Sequence, residues 1–210
     1  MEGRHEGAER TRSGCRPCAG VSRRRRRRGC RNDGGQYRPP QPRSKSMSSD
    51  RTWFIPAGSA SDGRADCRIT PESAGWTYCG MYVFTLRAGD PAEFTLNGEE
   101  GVLVSLSAQN FTVTVDGRAF DMQGRDGVFA AVSDWMYLPV GSQVAIAGTS
   151  GEVAIVTARA SQAFPVHYGS ADSVAVEVRG AGRATRHVTN YATPDSFDGA
   201  HKINVCEVIT

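Results

Sequence analysis

The sequence predicts an all-β fold, an antiparallel barrel or sandwich, and three observations carry that prediction. Apolar and polar residues alternate with a period of two along most of residues 47–210. Gly, Pro, Asn-Gly or Asp-Gly stands at nearly every join, and no window of about eleven residues shows a helical stripe. Short strands at intervals of roughly ten residues, punctuated in this way, suit two packed antiparallel sheets.

The elements follow in order. Met81 to Leu86 reads as a strand after the Pro/Gly-marked turn that begins at Thr70. A segment ending at Leu96 is separated by Asn97-Gly98 from a strand over Val102 to Leu106. Phe111, Val113 and Val115 alternate with Thr112 and Thr114; Asp116-Gly117 then tolerates the positive φ of a tight hairpin turn, and Arg118 to Met122 returns. Further strands are expected at Trp135 to Leu138, Val144 to Ala147 and Val153 to Ala158, with Val174, Val176 and Val178 as a last alternating set. No Cys and Trp spacing of the antibody kind is present, which leaves a jelly-roll barrel of the cupin type as the leading architecture.

Charge divides the chain before any motif does. Residues 1–46 hold fourteen Lys/Arg against four Asp/Glu, so the remaining 164 residues are net acidic although the whole chain is +3. The first part, with six consecutive arginines from Arg23 to Arg28 and almost no Ile, Leu or Phe, cannot bury a core and is expected to be a disordered tail. Such a run can contact nucleic acid through counterion release. The plainer expectation is that translation starts at Met47 and that residues 1–46 are absent from the native protein. Cys15 and Cys18 form a CxxC with Cys30 nearby, but a second pair is missing even if His5 joins, so a zinc site is not expected there. Cys67, Cys79 and Cys206 are isolated, as reduced thiols of a cytoplasmic protein would be. No apolar run has the length of a signal core or membrane span, which leaves a membrane partner without support.

Five segments together resemble the 5-deoxy-glucuronate isomerase family, bicupins of myo-inositol breakdown related to the ketol-isomerases of pectin breakdown. They are Thr70 to Leu86; Glu99 to Leu106 followed by Val113-Thr114-Val115-Asp116-Gly117; Asp134 to Pro139; Val176 to Gly182; and Arg186 to Asn190 with Cys206 to Thr210. The resemblance spans about residues 52–210. It implies an N-terminal cupin barrel over 47–180, an interbarrel connection over 181–201, and the first strand of a second barrel over 202–210, left as an unpaired edge. It also implies an aldose–ketose isomerisation of 5-deoxy-glucuronate to 2-deoxy-5-keto-gluconate and a small sugar-acid substrate, and it leaves a homo-oligomer open. A divalent metal, zinc or similar, is implied for the complete family member, in a Pro-Pro-His-Lys-His-Asp-like segment of the second barrel.

This chain stops at Thr210, before such a segment would begin. No catalytic, cofactor-binding or metal-ligating residue is therefore assigned, and the chain is expected to be inactive. The alternative is a non-catalytic cupin half that serves as a binding or assembly module. His187 and His201 lie fourteen residues apart around a Pro/Asp/Gly connection and His167 follows Phe164-Pro165-Val166 in an expected loop, so neither arrangement suggests a metal pair. Glu207, in phase with Ile203, Val205 and Ile209, reads first as a structural acceptor and second as a substrate contact. Glu72 reads as a turn residue before a sugar ligand. Trp76, Tyr78 and Tyr82 could form a stacking platform, with core or barrel-mouth packing the preferred reading. Arg183 and Arg186 could reach a carboxylate but are expected to tie loops to nearby carbonyls.

Overall fold

A computed structural model describes residues 54–210; the expected tail, its CxxC and its arginine run lie outside the described residues. The strands are β1 (Cys67–Ile69), β2 (Cys79–Thr85), β3 (Ala92–Thr95), β4 (Glu99–Ser105), β5 (Gln109–Val115), β6 (Arg118–Gly124), β7 (Trp135–Leu138), β8 (Gln143–Ala147), β9 (Glu152–Arg159), β10 (His167–Gly169), β11 (Ala175–Arg179), β12 (Arg186–Ala192) and β13 (Val205–Ile209). One helical turn, α1 (Pro71–Ala74), precedes β2. All strand pairs are antiparallel. A six-stranded sheet runs β1-β2-β9-β4-β7-β10, a four-stranded sheet β3-β8-β5-β6, and a three-stranded sheet β11-β12-β13.

The first two sheets face each other as a jelly roll, the cupin-type architecture expected. Alternation explains the seam between them. From the six-stranded sheet Phe84, Leu103, Met136, Leu138, Val153 and Ile155 point inward, and Phe111, Val113, Val115, Met122, Val144 and Ile146 meet them from the four-stranded sheet. The β5–β6 hairpin turns at Asp116 (φ 48°) and Gly117 (φ 81°), as the Asp-Gly dipeptide predicts. Asn97-Gly98 behaves differently. β3 pairs only with β8 while β4 pairs with β7 and β9, so this turn carries the chain from one sheet to the other instead of closing a hairpin.

Thr70 to Leu86 shows why its residues stand where they do. The Thr70 hydroxyl accepts from the Ser73 N–H and the Ser73 hydroxyl accepts from the Thr70 N–H, a capping box at the start of α1. Pro71 occupies the first turn, where no donor is needed, and Gly75 ends it in the left-handed region at φ 66°. Gly80 then crosses a crowded spot: a Cβ there would lie 2.6 Å from the Thr157 hydroxyl oxygen and 2.9 Å from the Ile69 carbonyl oxygen.

The outer face of the six-stranded sheet is buried as well. Val102, Val104, Trp135, Tyr137 and Ala154 form a second core with Tyr191 and Ala192, covered by Phe164, Phe197, Ala200, Ile203 and Val205. Phe197 stands edge-on to Trp135, with ring centroids 5.3 Å apart, and stacks on His167 at 4.8 Å. His167 is thus the first residue of β10, paired with Tyr137, and not a loop residue as its Phe-Pro-Val prelude suggested.

Two expectations about the C-terminal part are corrected. The span expected to be connection, 181–201, contains the central strand of the third sheet, β12, whose polar Arg-His-Val-Thr-Asn start hid its strand character. The C-terminal strand is not unpaired: β13 bonds along one edge to β12, from Ile209 opposite His187 to Val205 opposite Ala192. β11 flanks β12 on the other side and is exposed along its whole length.

Candidate functional site

Polar residues gather at three places. The first is a groove at the open edge of the barrel, where β1 and β2 approach β3. Two cavities of about 590 and 580 Å³ adjoin there and share Arg68, Tyr82, Thr95 and Asn97 in their walls. Tyr82 and Phe84 each stack on Phe94, and the Arg68 guanidinium lies 5.9 Å over the Tyr82 ring while donating to Asp62 at 3.0 Å. The Tyr82 hydroxyl donates to Glu99 at 3.2 Å. Burial and the neighbouring Glu99 carboxylate hold that phenol above its ordinary pKa.

Glu72 and His201 line the same groove, so the fold brings together three residues that stand out in the sequence, Glu72, Tyr82 and His201. Glu72 pairs with Arg159, which also donates to the Thr77 carbonyl at 3.1 Å. Trp76 and Tyr78 stay apart from the groove walls and are exposed, 46% and 62%. Neither core packing nor a joint platform with Tyr82 holds for them, because α1 and the following turn carry them past the sheet edge before β2 begins. Arg183 and Arg186 are exposed too, and among the described residues Arg186 reaches only the Ala184 carbonyl, at 3.4 Å. His187 lines a separate apolar groove with Phe129 and Val176, away from the His201 site.

The second place is Glu100, fully buried on the outer face of β4. Its carboxylate accepts from the Tyr137 hydroxyl at 2.8 Å and from three successive backbone N–H groups, His201 at 2.8 Å, Lys202 at 2.5 Å and Ile203 at 2.7 Å. The third is Arg125, whose side chain has no exposed surface. Its Nε donates to the Ser105 carbonyl at 2.7 Å, and its two terminal nitrogens hold Glu207 at 2.9 and 2.5 Å. Burial alone would lower the pKa of this guanidinium, yet Glu207 and Tyr191 together offset that and raise it. Tyr191 adds a longer donation to Glu207 at 3.4 Å. Glu207 therefore acts as the structural acceptor its phase allowed. Glu100 and Arg125 carry no mark in the sequence because the C-terminal partners that make them clamps, Glu207 for Arg125 and His201 to Ile203 for Glu100, lie 82 to 103 residues away.

The buried phenols give these clamps an alkaline limit. Burial first, and Glu207 second, push Tyr191 up to about 12; burial and the bond to Glu100 raise Tyr137 further. A folded-state pKa above the unfolded value of about 10 means that the stabilisation is complete below pH ~10 and is lost as pH rises through the folded value. Each tyrosine then removes about 1.4 kcal/mol per pH unit. Urea midpoints measured from pH 8 to 12 should fall steeply above pH ~10 and less steeply in Tyr191→Phe; a flat profile for both proteins would contradict the buried-phenol account.

A model of the KduI/IolB family matches residues 53–210. The chain belongs to the KduI/IolB family. Its relatives include the 5-deoxy-glucuronate isomerase of Geobacillus kaustophilus (strain HTA426), 32% identical over 159 residues that cover 75% of this chain and 57% of the relative. The enzyme of the same name from Geobacillus thermodenitrificans (strain NG80-2) is 32% identical over 145 residues, 68% of this chain and 52% of the relative. Among solved structures, an IolB-like protein from Salmonella typhimurium LT2 superposes with a TM-score of 0.63 at 28% identity, over 69% of this chain and 55% of that one. The chain spans about half the length of the curated relatives it matches.

A divalent metal, implied for the family, does not fit the residues described. The barrel interior is walled by apolar side chains, and among the described residues no three His, Cys, Asp or Glu side chains converge. Thr157, against Gly80, is the one buried side chain with an unpartnered oxygen among them, and a single hydroxyl is not a ligand set for zinc.

Proposed function

We propose that this chain is the scaffold half of a 5-deoxy-glucuronate isomerase, the enzyme that converts 5-deoxy-glucuronate to 2-deoxy-5-keto-gluconate. In this reading, β1 to β10 are its first barrel, and β11, β12 and β13 begin the sheet on which the reacting half is built. The reaction must remove a proton beside a carbonyl and stabilise an enediolate oxygen, work suited to a positioned base and an electrophile. The observation that carries the scaffold role is the pair of buried clamps. Glu100 grips the backbone just before β13 and Arg125 grips β13 itself, so the barrel dictates where the C-terminal strands lie.

The purified 210-residue chain, supplied with zinc, manganese or iron(II), should form no 2-deoxy-5-keto-gluconate; turnover would overturn the scaffold reading. In the complementary arm, residues 52–210 replace the matched segment of the Geobacillus kaustophilus enzyme. A soluble chimera should isomerise 5-deoxy-glucuronate, and a folded but inactive chimera would count against the assignment.

One observation favours the second reading, an assembly module. Val176, Val178 and Phe129 are 46%, 65% and 84% exposed at or beside the three-stranded sheet, large apolar side chains left to water next to an open strand. Self-association of the chain without any active chimera would support it.

A further inference from the structure

A crevice of about 450 Å³ lies where β10, the last strand of the six-stranded sheet, and its neighbour β7 come up to β12. We infer that it binds a neutral, planar cyclic amide of the pyrimidine type, a ring that carries an N–H beside a C=O. The inference is independent of the scaffold reading, because every group it uses belongs to residues 135–197 of this chain.

Two buried groups of opposite sense are left unspent in its wall. Trp135 is only 3% exposed, yet its indole N–H, a donor and nothing else, makes no hydrogen bond among the described residues and stays accessible from the crevice. Gly169, opposite Trp135 in the β7–β10 ladder, leaves the indole edge its room. A Cβ there would lie 2.1 Å from Trp135 Nε1, so any other residue would push the ring aside. Asn190, 8% exposed, supplies the acceptor. Its NH2 donates to Glu177 Oε1 at 2.6 Å, and because a carboxylate only accepts, the amide is fixed with its Oδ1 free of protein donors among the described residues.

Exposed groups flank this pair. Ser170 precedes a single 3-10 turn (Ala171–Ser173) without capping it, so its hydroxyl is free, and the ring nitrogens of His167 have no protein partner among the described residues. The ring faces of the aromatic cluster are already taken. His167 stacks on Phe197 at 4.8 Å and tilts against Trp135 at 5.4 Å, so what the cluster presents to a ligand is its nitrogen edges, held still by that packing.

The chemistry of the wall selects the ligand. No Asp, Glu, Lys or Arg lines the crevice, and the carboxylates behind it are spent, Glu177 on Asn190 and Arg179, Asp134 on two backbone N–H groups and the Tyr168 hydroxyl. A charged ligand would lose its hydration there without gaining a counterion. A polyol fits poorly as well, because the Ser173 and Ser196 hydroxyls already donate to backbone carbonyls and Val174 offers no polar atom, so several of its hydroxyls would go unbonded. A cyclic amide places one C=O on the Trp135 N–H and one N–H on Asn190 Oδ1, and a second carbonyl accepts from Ser170. The volume lies within the range of small-molecule sites, about 300–1,000 Å³, with room for a ring substituent.

The test is a titration of the ¹⁵N-labelled 210-residue chain with uracil as the probe, followed at the Trp135 indole N–H, the indole peak that remains in a Trp53→Phe/Trp76→Phe protein. That peak should move downfield and saturate. 1,3-Dimethyluracil, which keeps both carbonyls but has no N–H, should bind about tenfold more weakly, and glycerol should leave the peak in place. Ser170→Ala should weaken uracil about fivefold, the loss of one neutral hydrogen bond. Gly169→Ala should abolish binding by displacing the indole; if that protein does not fold, Ser170→Ala, at an exposed position, still decides. An indole peak that stays put or shifts without saturating, equal affinity for uracil and 1,3-dimethyluracil, or unchanged affinity in Ser170→Ala would each overturn the proposal.

Discussion

Replacing Glu100 with Ala should cost about 3–5 kcal/mol and release the segment that covers the outer face of the barrel. Four donors converge on this one carboxylate, three of them backbone N–H groups of consecutive residues. Buried donors without an acceptor lose the water they gave up on folding and gain nothing in return, at about 1–3 kcal/mol each before relaxation. The segment can relax by peeling away, which limits the total but exposes Phe197, Ala200 and Ile203. Glu100→Gln should not rescue the protein. Oε1 serves Lys202 and Ile203 and Oε2 serves His201 and Tyr137, so whichever oxygen becomes an amide NH2 would face two donors. Tyr137→Phe removes one donor and leaves three, and should cost only about 1 kcal/mol.

Two measurements separate this account from simple loss of packing. Hydrogen exchange at His201, Lys202 and Ile203 should accelerate far more than at the core strands β4 and β9. The fluorescence of Trp135, which Phe197 shields, should shift to the red. A Glu100→Ala protein whose three amides stay as protected as in the wild type would sink the idea.

How much of this was legible in the sequence follows from how local each signal is. The β5–β6 hairpin could be read because its period and its Asp-Gly turn sit within fifteen residues, and Trp135 to Leu138 emerged with the expected bounds. The second core could not be read. β4 and β7 are buried on both faces, so Trp135, Met136, Tyr137 and Leu138 do not alternate, and only the distant Tyr191 to Val205 segment reveals why. β12 was hidden for the opposite reason: its Thr189 and Asn190 are buried but polar, and Asn190 donates to Glu177 at 2.6 Å across the sheet. The groove is half legible. Glu72 stands out by itself, Tyr82 beside Trp76 and Tyr78, and His201 beside His187, but spacing along the chain gives no sign that Lys202 and Thr95 share one cavity wall. The jelly-roll class needed only periodicity and turns; the clamps needed the folded chain.

The second large effect is expected at Arg125. Arg125→Met should destabilise the protein by about 3–5 kcal/mol, because it strands the Glu207 carboxylate and removes the donors that Ser105 and Ala131 accept from. Glu207→Gln keeps the shape and one acceptor, and should cost less, about 2–3 kcal/mol, since Arg125 retains its two carbonyl partners. The decisive protein is the double variant Arg125→Met/Glu207→Leu. Removing both charges eliminates the cost of burying either, so it should recover most of the stability that the single changes lose, with a coupling energy of about 1–3 kcal/mol in a double-mutant cycle. The two readouts then diverge. Global stability by urea denaturation recovers, whereas β13, no longer held by a bidentate pair of fixed geometry, should show faster amide exchange at Cys206 and Val208 than the wild type. Additive losses in the double variant would mean that Arg125 and Glu207 stabilise the fold independently. The bridge between barrel and C-terminal sheet would then not be the element that sets the position of β13.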